Sequence, residues 1–178
     1  FETPEYKTAR ALAVKVADLL TPVAGQGTFL ELWADGDLEY KIKPDKEIQE
    51  NRKLRFNEHV FSGIKKEPLY GSTYLPRKFK CAVTVPGDNS VDLLTNDIGM
   101  VAFTSKEGEF EGCNFYIGGG MGRTHNNEET FARIADPLGY VEKDDTYELI
   151  QSIVAIQRDY GDRKSRKNSR MKYLLHRK

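Results

Sequence analysis

Ile98-Gly99-Met100-Val101-Ala102-Phe103-Thr104, then Phe110-Glu111-Gly112-Cys113-Asn114-Phe115-Tyr116-Ile117 across Lys106-Glu107-Gly108-Glu109, is the stretch that decides the fold. Two strand-like runs on either side of a short, charged, glycine-containing connection read as an antiparallel hairpin. Gly118-Gly119-Gly120 follows at once. Upstream, Thr28 to Trp33 and Leu38 to Ile42 form an earlier hairpin across Asp35-Gly36, a dipeptide that suits the tight turn between paired strands. Phe79 to Val85 adds a further strand ended by Pro86-Gly87, and Val91 to Thr95 is a short turn or link.

Helices flank these strands. Ala9, Leu12, Ala13, Val16, Leu19 and Leu20 recur at helical spacing behind Pro4, so residues 5 to 20 read as an amphipathic helix stopped by Thr21-Pro22. Asn126 or Asn127 caps an expected helix running to Ala135, with Glu128 and Glu129 at its positive end and Asp136-Pro137 ending it. Asp145 and Glu148 make an acidic capping box for a helix from Thr146 to Tyr160, whose Leu149, Ile153 and Ile156 share a stripe. Gly161 breaks it, and a basic helix is expected from Ser165 to His176. Strands in hairpins with helices at both ends imply an α+β fold, a mixed or antiparallel sheet with flanking helices. Residues 43 to 68 are polar and weakly periodic, which divides the chain into residues 1–68, helix, hairpin and polar insertion, and a main domain over residues 69–178.

Composition narrows the function classes. With 178 residues, 39% hydrophobic and 30% charged, the chain can bury a core, and no apolar run is long enough to cross a bilayer. The start has neither a basic n-region nor an apolar h-region, so no secretion signal is expected. Cys81 and Cys113 are the only cysteines, too few for a disulfide framework or a four-thiolate metal site; no metal ligands are expected in this chain, and a reducing compartment suits it. The start at Phe1 without methionine and the stop at Lys178 inside a basic segment suggest a piece of a longer polypeptide.

The formal charge of zero conceals a basic end, because Arg158, Arg163, Lys164, Arg166, Lys167, Arg170, Lys172, Arg177 and Lys178 stand against Asp159 and Asp162 alone. Such a run suits a solvated helix, a nucleic-acid face or a cradle for a ligand with many carboxylates. No helix-turn-helix, zinc-finger or RNP signature accompanies it. A second cationic stretch, Leu75-Pro76-Arg77-Lys78-Phe79-Lys80, precedes the core strand. In an extended chain Lys78 and Lys80 share one face with Cα atoms about 7 Å apart, within reach of one small anion, while Phe79, Cys81, Val83 and Val85 share the other. Lysines guarding an edge strand give the same pattern. The glycines before Met121-Gly122-Arg123-Thr124-His125 lack the Gly-x-x-x-x-Gly-Lys-Ser/Thr order of a phosphate loop, but allow a backbone to approach a flat ligand closely. His125 is a possible carboxylate donor, and His59 reads as ordinary.

Taken in order, Leu75 to Lys80, Asn96-Asp97-Ile98-Gly99, Gly118 to His125, Gln157-Arg158-Asp159 and Arg166-Lys167-Asn168-Ser169-Arg170-Met171-Lys172-Tyr173 resemble the sulfite and nitrite reductase family. The likeness spans essentially the whole chain and is strongest to the ferredoxin-dependent sulfite reductases of cyanobacteria and plastids. It implies the first of that family's two core repeats, and an enzyme that reduces sulfite to sulfide with six electrons at a sirohaem coupled to a 4Fe–4S cluster. It implies ferredoxin as electron donor, the remainder of the same polypeptide as structural partner, and a bacterial cytoplasm or plastid stroma as location. Lys78 and Lys80 match the family's active-site lysines. Arg77, Asn96, Gly119, Gly120, Arg123, His125, Arg166, Lys167 and Arg170 match positions toward the eight-carboxylate sirohaem. Lys80 favours sulfite, since the nitrite-reducing branch typically has asparagine there. Neither cysteine matches the cluster ligands of the family, so the isolated piece is expected to be inactive and to bind neither cofactor. A basic nucleic-acid-binding module is the alternative from another class.

Overall fold

A computed structural model describes residues 3–22, 69–71 and 73–177, and residues 30–34 and 37–42 as backbone. Residues 43–68, with the expected polar insertion and His59, lie outside the described residues, as does Thr28. The chain divides into two compact units, one formed by Phe1–Ala13 with Leu75–Lys178 and the other by Val14–Tyr74.

Helix α1 (Pro4–Leu20) begins with proline at its first position, where the missing N–H costs no helical bond. It buries Ala9, Leu12, Val16 and Leu19, the spacing expected of one helical face. Its first half belongs to the larger unit, where Thr8 Oγ1 donates to the Gly108 carbonyl at 2.7 Å. In the smaller unit, β1 (Leu30–Ala34) and β2 (Asp37–Ile42) pair antiparallel with Ala34 opposite Asp37. The Tyr70 hydroxyl there donates to the Leu20 carbonyl, and Tyr70 stacks on Tyr74.

The larger unit is built on a four-stranded mixed sheet in the order β3 (Cys81–Thr84), β4 (Ile98–Thr104), β5 (Phe110–Ile117), β6 (Asp136–Glu142). β3 runs parallel to β4, whereas β4, β5 and β6 are successively antiparallel. Ile98, Met100, Ala102, Cys113 and Phe115 form the dry centre of the sheet. Helix α2 (Lys143–Tyr160) packs across β5 and β6 and buries Ile150, Ile153 and Val154. Each of those side chains contributes about 1.5–3 kcal/mol on burial. Asp144 and Asp145 complement the positive end of α2. Among the described residues no helix is long and apolar enough to cross a membrane.

Five expectations change. The strand expected from Phe79 begins at Cys81, so Lys78 and Lys80 precede it; Cys81, Ala82 and Val83 are all half-buried, and no clean alternation survives at this sheet edge. No helix forms over residues 126–135: Asn126 takes a left-handed φ of 55°, and the Thr130 hydroxyl accepts from the Thr124 amide at 2.8 Å, closing a loop instead. Asp136-Pro137 opens β6 rather than ending a helix. The buried stripe of α2 runs through Thr146, Ile150, Ile153, Val154 and Gln157, leaving Ile156 exposed, because Thr146 and Gln157 bond to the Glu142 and Ser169 carbonyls and are accepted inside. The basic segment is not one helix but a short turn at Arg166–Asn168 followed by α3 (Met171–His176), which buries Met171, Lys172, Tyr173 and Leu174.

Candidate anion-binding site

Asp97 organises the site. The turn Leu93–Thr95 is closed by Asn96, whose Nδ2 donates to the Asp92 carbonyl at 3.0 Å and the Leu93 carbonyl at 3.2 Å. The chain then enters β4 with the Asp97 side chain wholly buried. Asp97 Oδ2 accepts from the Lys80 backbone N–H at 2.9 Å and from Arg170 Nη2 at 2.9 Å. The Lys80 carbonyl in turn accepts from the Ile98 N–H at 3.0 Å, so the Lys80 main chain is held on both sides.

The glycine segment packs over this turn. Gly118, at φ 76°, donates its N–H to the Asp97 carbonyl, and Gly119 donates to the Asn96 carbonyl, both at 2.9 Å. A Cβ at Gly119 would stand 2.1 Å from the Leu94 carbonyl oxygen, and one at Gly120 would stand 2.6 Å from Arg170 Nη1. The close approach that these glycines permit is therefore taken up by the protein's own backbone and by the Arg170 guanidinium. At Gly119 only glycine fits, because the neighbouring backbone atoms cannot retreat, whereas at Gly120 a side chain would displace the Arg170 guanidinium.

Lys172 is the second organising residue. Its ammonium, fully buried, donates to the carbonyls of Gly120 at 3.0 Å, Gly122 at 2.6 Å and Phe131 at 2.5 Å. It also lies 4.8 Å from the centre of the Tyr173 ring. Burial lowers its proton affinity below that of an ordinary lysine and the Arg170 charge adds to this, while Asp97 opposes it. Three carbonyl acceptors nevertheless satisfy all three ammonium protons.

Around these anchors the cations gather. A cavity of about 460 Å³ is lined by Arg77, Arg123, Arg166, Lys167, Arg170 and Lys172 together with neutral residues. A neighbouring cavity of about 500 Å³ is lined by Arg77, Lys78, Arg163 and Arg166. The two share Arg77 and Arg166, and among the described residues no carboxylate lines either one. Concave walls bearing one sign of charge concentrate the field and favour an anion with several negative groups. Gly161 lets the end of α2 approach Pro76, since a Cβ there would stand 2.7 Å from Pro76 Cγ. That contact places Arg77 beside the basic segment.

Of the residues singled out in the sequence, Arg77, Arg123, Arg166, Lys167 and Arg170 meet on the first cavity and Lys78 lies on the second. Lys80 is half-buried, His125 is exposed, and neither lines these cavities. Asn96, Gly119 and Gly120 shape the turn beneath. Asp97 and Lys172 were not singled out. Their signal was available, since an acid entering an apolar strand and a lysine between Met171 and Tyr173-Leu174 both demand partners when buried.

The cysteines have another character. Cys81 lies on β3 opposite Ile98, and Cys113 lies on β5 opposite Ala102, with β4 between. Burial pushes both thiols up to about 12, helped at Cys81 by the Asp97 charge, so each is a protonated apolar side chain at neutral pH. No group of three or more histidine, cysteine or acidic residues able to hold a metal ion occurs among the described residues. These donors do not fit an iron–sulfur cluster, which takes thiolates.

The α+β sheet thus carries two adjoining cavities lined by cations, a shape and charge suited to an anion with several negative groups. Residues 48–178 match the model of the nitrite and sulphite reductase 4Fe-4S domain, and the chain belongs to that family. It is 55% identical over 178 residues, 98% of its length, to a sulfite reductase (ferredoxin) of Synechococcus elongatus. It is 38% identical over 172 residues, 97% of its length, to a sulfite reductase (NADPH) hemoprotein beta-component of Methylorubrum populi, and 52% identical over 113 residues, 64% of its length, to one of Shewanella sediminis. The chain covers 27%, 25% and 20% of these relatives, about a quarter of their length.

Proposed function

We propose that this chain is the part of a ferredoxin-dependent sulfite reductase that holds sirohaem carboxylates and presents lysines to sulfite. The observation that carries the reading is the pair of adjoining cavities sharing Arg77 and Arg166, with cations and, among the described residues, no carboxylate on their walls. Such a donor set fits a macrocycle with many carboxylates, because each guanidinium offers a planar pair of N–H groups to one carboxylate. Arg77, Arg123, Arg166 and Lys167 would hold it, with Arg170 reaching from its ion pair with Asp97. The chemistry that sirohaem supplies when bound is electron delivery to a small oxyanion at its iron. The 4Fe–4S cluster would take its ligands from another part of the polypeptide.

Within this reading Lys78 and Lys80 have two tasks. Their ammonium groups offset the charge of the approaching oxyanion, and their Nζ atoms donate protons to its oxygens as those leave as water. Two unpaired thiols suit a reducing compartment, either a bacterial cytoplasm or a plastid stroma. Of the basic segment's cations, Arg158 pairs with Asp159, Arg170 pairs with Asp97 and Lys172 is buried, whereas Arg163, Lys164, Arg166 and Lys167 are exposed. The test is Lys80→Asn in the intact enzyme, which should lower sulfite turnover much more than nitrite turnover. Equal losses for the two substrates would overturn the choice of sulfite.

A further inference from the structure

We infer that Asp97 is a positioning residue that ties the lysine-bearing segment to the cation-lined cavity through a single carboxylate oxygen. This rests on the function proposed above for Lys80 and Arg170. Asp97 Oδ2 holds the Lys80 N–H and Arg170 Nη2, each at 2.9 Å, and these donors come from segments 90 residues apart in sequence. Arg170 Nη2 also donates to the Gly119 carbonyl at 3.2 Å, and the Gly118 N–H returns to the Asp97 carbonyl. One residue thus joins the lysine strap, the glycine segment and the basic segment.

The remaining oxygen makes the arrangement unusual. Asp97 Oδ1 is buried without a hydrogen-bond partner among the described residues. A carboxylate kept wholly out of water with half its acceptors unused is a costly way to fill a core, and an apolar residue of similar size would avoid that cost. What an apolar residue cannot do is hold Lys80 and Arg170 at a fixed separation. Lys80 is fixed from the other side by the Ile98 N–H, so loss of the carboxylate frees its amide but not its carbonyl. The side chain then swings about the entrance to β3, and its Nζ loses a defined place relative to the cavity.

Two variants of the intact protein test this, with amide hydrogen exchange resolved at Lys80 and steady-state sulfite kinetics as separate readouts. Asp97→Asn preserves shape and an acceptor but replaces charge-assisted bonds with neutral ones, and Lys80 amide exchange should accelerate about fivefold. Asp97→Ala removes the acceptor, and exchange should accelerate by more than about tenfold. Turnover should fall in the same order, with the asparagine variant recovering most of what alanine loses. If the alanine variant does not fold, the asparagine variant alone decides, since it is isosteric. Exchange at Lys80 unchanged within twofold in Asp97→Asn would overturn the proposal. So would faster exchange with unchanged turnover, which would leave Asp97 a structural residue. The exchange readout needs no reductase activity, so inactivity of the unsubstituted protein toward sulfite would count against the function reading alone.

Discussion

At the scale of single residues, the two cysteines show how environment rather than identity decides chemistry. A free thiol is a nucleophile or metal ligand only as thiolate, and burial pushes Cys81 and Cys113 up to about 12 from an ordinary 9.0. The raised values have a consequence for stability. Below pH 9 the unfolded and folded thiols are both protonated and the stabilisation is fully present; as pH rises from 9 toward 12 the unfolded thiols ionise first, and stability falls. The loss near pH 10 should be on the order of 1 kcal/mol per thiol. Denaturant midpoints at about pH 8 and about pH 10 should therefore diverge more for the unsubstituted protein than for a Cys81→Ala/Cys113→Ala variant. Lys172, whose value is lowered, works in the opposite direction but is present in both proteins, so the difference between them isolates the thiols. An identical pH dependence would mean that the thiols are more open to solvent than their packing indicates.

Elements were legible where apolar periodicity met no polar competitor. The hairpin of β4 and β5 is one case, as Ile98–Thr104 and Phe110–Ile117 fall where the sequence places them. β6 was hidden because Asp136-Pro137 read as the end of a helix, yet Pro137 needs no ladder N–H on an edge strand and Gly139 takes a φ of 127°. α3 falls inside the expected basic helix, but its burial was hidden for a different reason. Its cations looked solvated, but Lys172 is drawn inward by the carbonyls of Gly120, Gly122 and Phe131. The same reasoning separates the legible part of the site from the rest: exposed cations announce themselves by charge, whereas buried Asp97 and Lys172 are defined by partners distant in sequence. The Lys172 tie predicts a measurable cost. Lys172→Met fills the volume but strands the carbonyls of Gly122 and Phe131, while that of Gly120 keeps the Arg133 N–H, and should destabilise the protein by about 2–3 kcal/mol in denaturant titration. Proteolysis within residues 121–129 should accelerate with it. A loss below about 1 kcal/mol would show that the burial cost of the ammonium cancels its three bonds.

At the scale of the molecule, a chain with no net charge has gathered eight of its 27 lysines and arginines on one pair of cavities. Arg77 reaches them from the strap before β3, Arg123 from the glycine segment, and Arg166, Lys167 and Arg170 from the segment between α2 and α3. These segments are brought together by the Pro76–Gly161 contact and by Asp97, so the site is a product of the tertiary fold and not of any one basic run. Arg77 and Arg166 line both cavities, and their loss should therefore weaken a polycarboxylate ligand more than the loss of any cation that lines one. In the intact enzyme, Arg77→Ala/Arg166→Ala should lower sirohaem occupancy by at least about tenfold, read from absorption per mole of purified protein. Each fully desolvated guanidinium–carboxylate pair is worth about 1.5–3 kcal/mol, and two such losses leave ample margin for that effect. Lys143→Ala, at an exposed position beginning α2, controls for the removal of positive charge as such. Full occupancy in the double variant would show that the cavities serve some other anion, and the assignment of Arg77 and Arg166 to sirohaem would fall.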